Sequence, residues 1–246
     1  MLSFFNISFR KGTPVETPVI LTDMHSHILP GIDDGAATLD ESLLIIKRLM
    51  DQGYKKLIAT PHVMSDFYRN TPTSIHAALE KVQQGVSKQG WDVDITAAAE
   101  YYLDEYLIDM LRKNQPLLTF GNRYVLFETS FINEPTLLAE AIFLMQSLNY
   151  KPVLAHPERY LYLQHNFSKC VDLVNNGVLL QINLNSLSGA YSLPAQLLAE
   201  KLIHHSMVSF AGTDCHALNN IKFLETARTK KSYAKLLEGN LLNQML

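Results

Sequence analysis

The chain has only two cysteines in 246 residues, Cys170 and Cys215. That is too few for a disulfide framework and fits reduced thiols in a cytoplasmic protein. Basic runs are also missing: Lys and Arg are scattered and the net charge is −3. Nothing in that pattern attracts nucleic acid or an anionic membrane surface. No apolar run approaches the roughly 18 residues that would suggest a spanning helix, so membrane insertion is not expected. The N-terminal "MLSFFNISFRKGTPVETPV" puts a short apolar patch ahead of its basic residues, the reverse of a secretory signal. Residues 1–18 read as a loosely ordered arm. Phe4, Phe5 and Phe9 offer an alternative, an anchor for a partner or a second subunit, which keeps a homo-oligomer open. No glycine-rich phosphate loop of the G-x-G-x-x-G or G-x-x-x-x-G-K-[ST] type follows a strand-like run, and no Pro/Gly/Ser-rich linker divides the chain.

What is present is a β/α alternation. Hydrophobic content of 47% against 18% charged residues allows a large core and argues against disorder. Strand-like runs occur at 19–25, 55–62, 93–100, 124–130, 151–158, 178–184 and 207–216. Most are continuously apolar, as parallel strands buried on both faces should be. Helical patterns lie between them. "DESLLIIKRLMDQG" reads from an Asp cap to a Gly stop, "TPTSIHAALEKVQQGVSKQG" opens on Thr-Pro, and "NEPTLLAEAIFLMQSLN" has Pro in its first turn. Further helical stretches lie near 103–113, 160–176, 194–205 and 232–245. Seven such repeats in one domain, 19–246, predict an α/β fold closed as a (β/α)7 barrel, with an open doubly wound sheet as the alternative.

In a parallel barrel, chemistry is built at the C-terminal strand ends. The first run ends in "HSHILPGIDD", giving His25, His27, Asp33 and Asp34. The later ones end in His62, Glu100, Glu128, His156 with Glu158 and Arg159, Asn183, and Asp214 with His216. Those windows cover roughly a tenth of the chain, so about one of its histidines should fall there by chance, yet five do. The other four, His76, His165, His204 and His205, lie in helical patterns where a solvated or packed role is the default. Any one strand-end histidine could be an ordinary core or loop residue. Burying all of them with their carboxylates would be costly without a partner, and metal ions are the simplest partner. Imidazole and carboxylate donors without thiolates suit zinc, iron or manganese. Nine groups (His25, His27, Asp34, His62, Glu100, Glu128, His156, Asp214, His216) exceed what one ion uses, so two or three ions with bridging carboxylates fit better.

Such a cluster activates water and stabilises attacking and leaving oxygens, which makes a hydrolase and suits phosphate esters. Arg159 could grip non-bridging phosphate oxygens, although a surface ion pair would explain it too. Arg69, in the long loop "SDFYRNTP", is a weaker candidate. A cysteine-based phosphatase needs an arginine six positions beyond its cysteine. Those positions hold Asn176 and Ile221, which excludes that chemistry here.

The ordered set "DMHSHILPGIDDGA", "ATPH", "AAEYY", "LFETS", "LAHPERY", "QINLNS" and "GTDCH" resembles the PHP (polymerase and histidinol phosphatase) superfamily. Within it, the set resembles the bacterial PHP-type protein-tyrosine phosphatases of capsule and exopolysaccharide loci. The resemblance implies a distorted seven-stranded TIM-like barrel and a trinuclear site. It implies that His25, His27, Glu100 and Asp214 bind one ion, with Glu100 bridging to a second on Glu128 and His156. Asp34, His62 and His216 would hold a third. Asp23 would orient the first histidine from behind, and Asp33 would stabilise the turn beside Gly31 and Gly35. Arg159 matches the family's phosphate-binding arginine. The expected metals are manganese first, then iron, zinc or cobalt. The expected partner is a tyrosine-phosphorylated protein, in particular the C-terminal tail of a bacterial tyrosine kinase of polysaccharide export. One departure stands out. A second arginine that family members often carry after the last Asp-x-His is absent from "DCHALNNIKFLETAR", where Lys222 is nearest and Arg228 lies far along the next helix. Competing readings are a small-molecule phosphatase acting on histidinol phosphate, an amidohydrolase, and a catalytically silent metal-binding module. Glu128, standing where amidohydrolases often supply a lysine, ranks the amidohydrolase lower.

Overall fold

The computed structural model describes residues 20–246, so the N-terminal arm and its phenylalanines lie outside the described residues. The first elements are strand β1 (Thr22–Ser26) and helix α1 (Leu39–Asp51). The expected second and third strands each break in two. β2 (Lys56–Ala59) and β3 (His62–Val63) flank Thr60 and Pro61, the latter lacking a ladder N–H. After α2 (Pro72–Gln89), β4 (Asp94–Ala97) and β5 (Glu100–Tyr102) flank Ala98 and Ala99. There follow α3 (Glu105–Arg112), β6 (Tyr124–Glu128), α4 (Leu138–Ser147) and β7 (Lys151–Ala155). The expected helix over 160–176 is two, α5 (Leu161–His165) and α6 (Ser168–Asn175). Next come β8 (Leu179–Asn183), α7 (Leu193–His204), β9 (Val208–Gly212), α8 (Leu218–Arg228) and α9 (Lys231–Leu237).

Local chemistry sets the helix starts. The Thr38 hydroxyl, rather than Asp40, caps α1 by accepting the Glu41 N–H, and Asp40 and Glu41 sit in the first turn where the helix dipole favours them. Thr71 and Ser74 form a capping box around Pro72 at the start of α2, and Gly90 closes that helix at φ 65.

All strand pairs are parallel, in two sheets ordered β1-β2-β4 and β3-β5-β6-β7-β8-β9. Since β2 runs on into β3 and β4 into β5, the sheets are tiers of one ring. Ala98 N donates to Ala59 O at 2.8 Å and Glu100 N to Pro61 O at 3.1 Å across the breaks. The last strand returns to the first just beyond β9. There Asp214 N donates to His25 O at 2.8 Å and His27 N to Cys215 O at 3.0 Å. Seven strand positions thus follow one another in sequence order around a distorted (β/α)7 TIM-like ring. The closed sheet expected from the sequence is not continuous: the joint between first and last strands is a single isolated bridge, Ser26 to Cys215.

Two buried apolar clusters organise the interior. The larger packs helices against the outside of the ring. The smaller contains Met24, Ile58, Ala98, Phe120, Tyr124, Leu126, Val153, Ala155 and Phe210. Strand side chains alternate with period two, so within β6 Leu126 shares a face with Glu128. The inward face of the ring is therefore apolar at its N-terminal end and lined with titratable groups at its C-terminal end.

Candidate metal centre

The nine donor groups read from the sequence converge at this C-terminal mouth. They form four overlapping sets whose ligand atoms lie within 4.8 Å of one another. These are His27, Asp34, His62 and His216; His25, His27 and Glu100; His25, His156 and Asp214; and His62, Glu100 and Glu128. Glu100, fully buried on β5, sits at the hub. Its Oε2 lies 3.2 Å from His25 Nε2, 3.4 Å from His27 Nε2 and 3.2 Å from His62 Nδ1, while Oε1 lies 3.1 Å from His156 Nε2. Asp214 Oδ1 faces the same first two histidines at 3.3 and 3.4 Å. Glu128 Oε1 is 3.1 Å from His62 Nδ1 and its Oε2 is 3.8 Å from His156 Nε2. Asp34, half exposed at the rim, is 3.4 Å from His62 Nε2 and 3.3 Å from His216 Nε2. His62 thus turns one nitrogen to the rim set and the other to the Glu100–Glu128 set.

The tautomers follow from the outer contacts. Gln181 Oε1 accepts the backbone N–H of His156 at 3.3 Å, so it is also the acceptor for His25 Nδ1 at 2.9 Å. His27 Nδ1 donates to Asp33 Oδ2 at 2.8 Å. In their neutral form both rings therefore present bare Nε2 lone pairs, and these lie 3.2 Å apart, beside two carboxylate oxygens. Lone pairs and carboxylates crowded this closely repel unless positive charge lies among them, so the donor set fits divalent cations. The electrostatics give the same sign. Burial opposes a charged His25, but Glu100 and Asp214 outweigh it and lift its pKa from 6.5 to about 9. Burial likewise favours a neutral Glu100, but His25, His62 and His156 hold it well below the usual carboxylate range.

The backbone bends to deliver two of these groups. His156 and Asp214 stand in the left-handed region at φ 34 and φ 50, where residues other than glycine are strained. Asp33 also accepts the N–H groups of Gly35 at 3.0 Å and His62 at 3.2 Å, tying the rim loop to β3. Asp23 is buried and reaches the backbone N–H of His25, at 3.4 Å, rather than its ring. Its carboxylate accepts the Thr213 hydroxyl at 2.6 Å and N–H at 2.9 Å, while burial pushes its pKa up to about 6.

Arg159 borders the donors, its Nη1 donating to Asp214 Oδ2 at 2.9 Å. Among the described residues the other basic candidates make no hydrogen bond to a donor group. Arg69 Nε donates to Ser65 O at 2.6 Å, Arg228 Nη1 to Gln52 O at 2.6 Å, and Lys222 lines a groove with Arg48 and Leu218. His76 and His204 lie in α2 and α7, His165 ends α5 and His205 follows α7, all outside the four donor sets. Both cysteines are buried; burial pushes the Cys170 thiol up to about 11 and the Cys215 thiol higher. Sequence reasoning missed Gln181 and underused Asn183, whose Nδ2 donates to Asp214 Oδ2 at 2.6 Å. Their signal was two amides spaced by two in the otherwise apolar β8 run "LLQIN".

A parallel α/β ring with a many-donor mouth of this kind defines a barrel protein whose His, Asp and Glu clusters could hold metal. The chain belongs to the capsular polysaccharide synthesis family CpsB/CapC, whose model matches residues 21–235. It is 28% identical over 203 residues to the tyrosine-protein phosphatase YwqE of Bacillus subtilis, covering 82% of this chain and 80% of that one. It is 25% identical over 209 residues to the tyrosine-protein phosphatase CpsB of Streptococcus agalactiae, covering 81% and 84%. Among solved structures it matches, at TM-score 0.76 and 25% identity, a chain from the crystal structures of YwqE from Bacillus subtilis and CpsB from Streptococcus pneumoniae, described as unique metal-dependent tyrosine phosphatases. That match covers 89% of this chain and 96% of the other. The lactonase Lmo2620 of Listeria monocytogenes, at 12% identity and TM-score 0.57, shares the fold.

Proposed function

We propose that this protein is a metal-dependent protein-tyrosine phosphatase of polysaccharide synthesis. The observation that carries the reading is the convergence of nine donors, the buried Glu100 among them, at one mouth, with the Arg159 guanidinium one carboxylate away. His25, His27, Glu100 and Asp214 would hold one divalent ion, Glu100, Glu128 and His156 a second, and Asp34, His62 and His216 a third. Manganese is the first expectation, with iron, zinc or cobalt as alternatives. When bound, such ions supply Lewis acidity and lower the pKa of coordinated water towards neutrality.

The protein's own groups have separate tasks. Gln181 and Asp33 fix the His25 and His27 tautomers so that Nε2 faces inward. Buried walls around Glu100 and Asp214 exclude bulk water and strengthen every charge interaction inside. Arg159 offers a planar fork to the non-bridging oxygens of a phosphate ester. The natural substrate in this reading is a tyrosine-phosphorylated protein, specifically the C-terminal tail of a bacterial tyrosine kinase, met in the cytoplasm. The relatives' printed activity supports the phosphotyrosine assignment.

The test is hydrolysis of a tyrosine-phosphorylated peptide beside histidinol phosphate, with manganese, with chelator, and with His25→Ala. The reading expects peptide turnover that needs both metal and His25. Faster turnover of histidinol phosphate would point to the small-molecule phosphatase instead.

A further inference from the structure

Arg159 is held by three side chains, two of them aromatic. Its guanidinium carbon lies 4.6 Å from the centre of the Phe131 ring and 4.4 Å from that of Tyr191. Nη1 is committed to Asp214, and among the described residues the guanidinium makes no other hydrogen bond. The rings are themselves fixed. Phe131, from the loop after β6, stacks on His156 at 5.7 Å and lies 5.6 Å from Tyr160. The Tyr191 hydroxyl, from the loop after β8, accepts from Asn183 Nδ2 at 3.3 Å, and that same amide donates to Asp214.

Ring faces attract a guanidinium and restrict its plane. The Asp214 contact then restricts rotation within that plane and leaves Nε and Nη2 free to donate. A flexible arginine normally loses conformational freedom when it grips an anion; one already fixed does not. The chain also has to manage with few guanidinium groups. Arg69 gives its Nε to Ser65 O and Arg228 its Nη1 to Gln52 O, and among the described residues neither hydrogen-bonds a donor group.

We propose that Phe131 and Tyr191 are positioning residues, a pair of rings that clamps Arg159 so that a single arginine grips the phosphate group. The proposal rests on the phosphatase reading. It adds two residues that carry no charge and bind no metal, and it explains how the mouth can work without a second arginine.

The test is calorimetric titration of inorganic phosphate into the manganese-loaded protein, alongside kinetics on a tyrosine-phosphorylated peptide. Phe131→Leu, Tyr191→Leu and Tyr191→Phe are compared in the native chain and in an Arg159→Ala background, with bound metal counted in each. Each leucine variant should weaken phosphate binding and raise KM by about 3- to 30-fold, the range from an exposed to a desolvated cation–ring contact, with the metal count unchanged. Tyr191→Phe keeps the ring and should stay within about twofold of native affinity. In the Arg159→Ala background the leucine substitutions should have no further effect. Unchanged affinity in the leucine variants, or the same weakening without Arg159, overturns the proposal. Because Phe131 also touches His156, a Phe131→Leu protein that loses metal leaves Tyr191→Leu to decide. A native protein that binds metal but not phosphate would sink the phosphatase reading itself, a different result from failure of the clamp alone.

Discussion

Glu100→Gln tests the hub of the centre with one isosteric change. The buried Glu100 carboxylate faces four imidazoles at 3.1–3.4 Å. That charge helps to lift the His25 pKa to about 9 against the cost of burial. An amide keeps the volume but removes the charge and replaces one acceptor oxygen with a donor. Breaking a buried ion pair from one side costs about 3–5 kcal/mol, because the remaining charge is left unpaired. For a domain of this size each kcal/mol moves Tm by about 2–4 °C, so chelated Glu100→Gln should melt about 6–20 °C below chelated native protein. The metal effect should be larger still, since Glu100 belongs to two of the four donor sets. Differential scanning calorimetry with chelator gives the first quantity, and elemental analysis after dialysis against manganese gives the second. A variant that melts with the native protein and keeps its full metal content would refute the hub assignment.

Three further outcomes follow from the same geometry. Gln181→Leu removes the acceptor of His25 Nδ1 and of the His156 N–H, so manganese affinity should fall about 10- to 100-fold with the fold intact; unchanged affinity would remove Gln181 from the centre. Gly35→Ala would set a Cβ 2.0 Å from the His27 carbonyl oxygen and 2.6 Å from its Cβ, so the rim loop must move; urea unfolding should show a loss of about 1–3 kcal/mol, and a native midpoint would contradict the packing. Chelated protein should also lose stability as pH rises. The folded pKa of His25 lies above its ordinary value, so its contribution is complete below pH 6.5 and fades as pH climbs through about 9. The loss is roughly 3 kcal/mol at one pKa unit per ~1.4 kcal/mol, and a chelated Tm that is flat or rising across that window would count against it.

The parts of this account legible in sequence share one physical origin. Parallel strands buried on both faces are written as apolar runs, and a run ending in His62, Glu100, Glu128 or His156 announces a buried polar group that packing alone does not explain. The interruption at Ala98–Ala99 was hidden because that pair continues the apolar run, whereas the one at Thr60–Pro61 carries its own signal in a proline without a ladder N–H; the ladder shows that the strands shift tier at both. The long helical pattern at 160–176 looked continuous, yet the backbone leaves the helix at Asn166, with φ −142, between α5 and α6. Gln181 and Asn183 carry little signal of their own, since an amide in a strand usually marks an edge. Phe131 and Tyr191 were invisible for a different reason: they lie in loops remote in sequence from Arg159 and meet it only when the ring of strands brings those loops together.

The central claim is a polynuclear metal centre made by these nine side chains, and anomalous diffraction from crystals of the manganese-loaded protein tests it most directly. The account predicts at least two neighbouring manganese peaks at the strand-end mouth, with Glu100 contacting more than one of them. One peak, or peaks away from His25, His27 and Glu100, would contradict it.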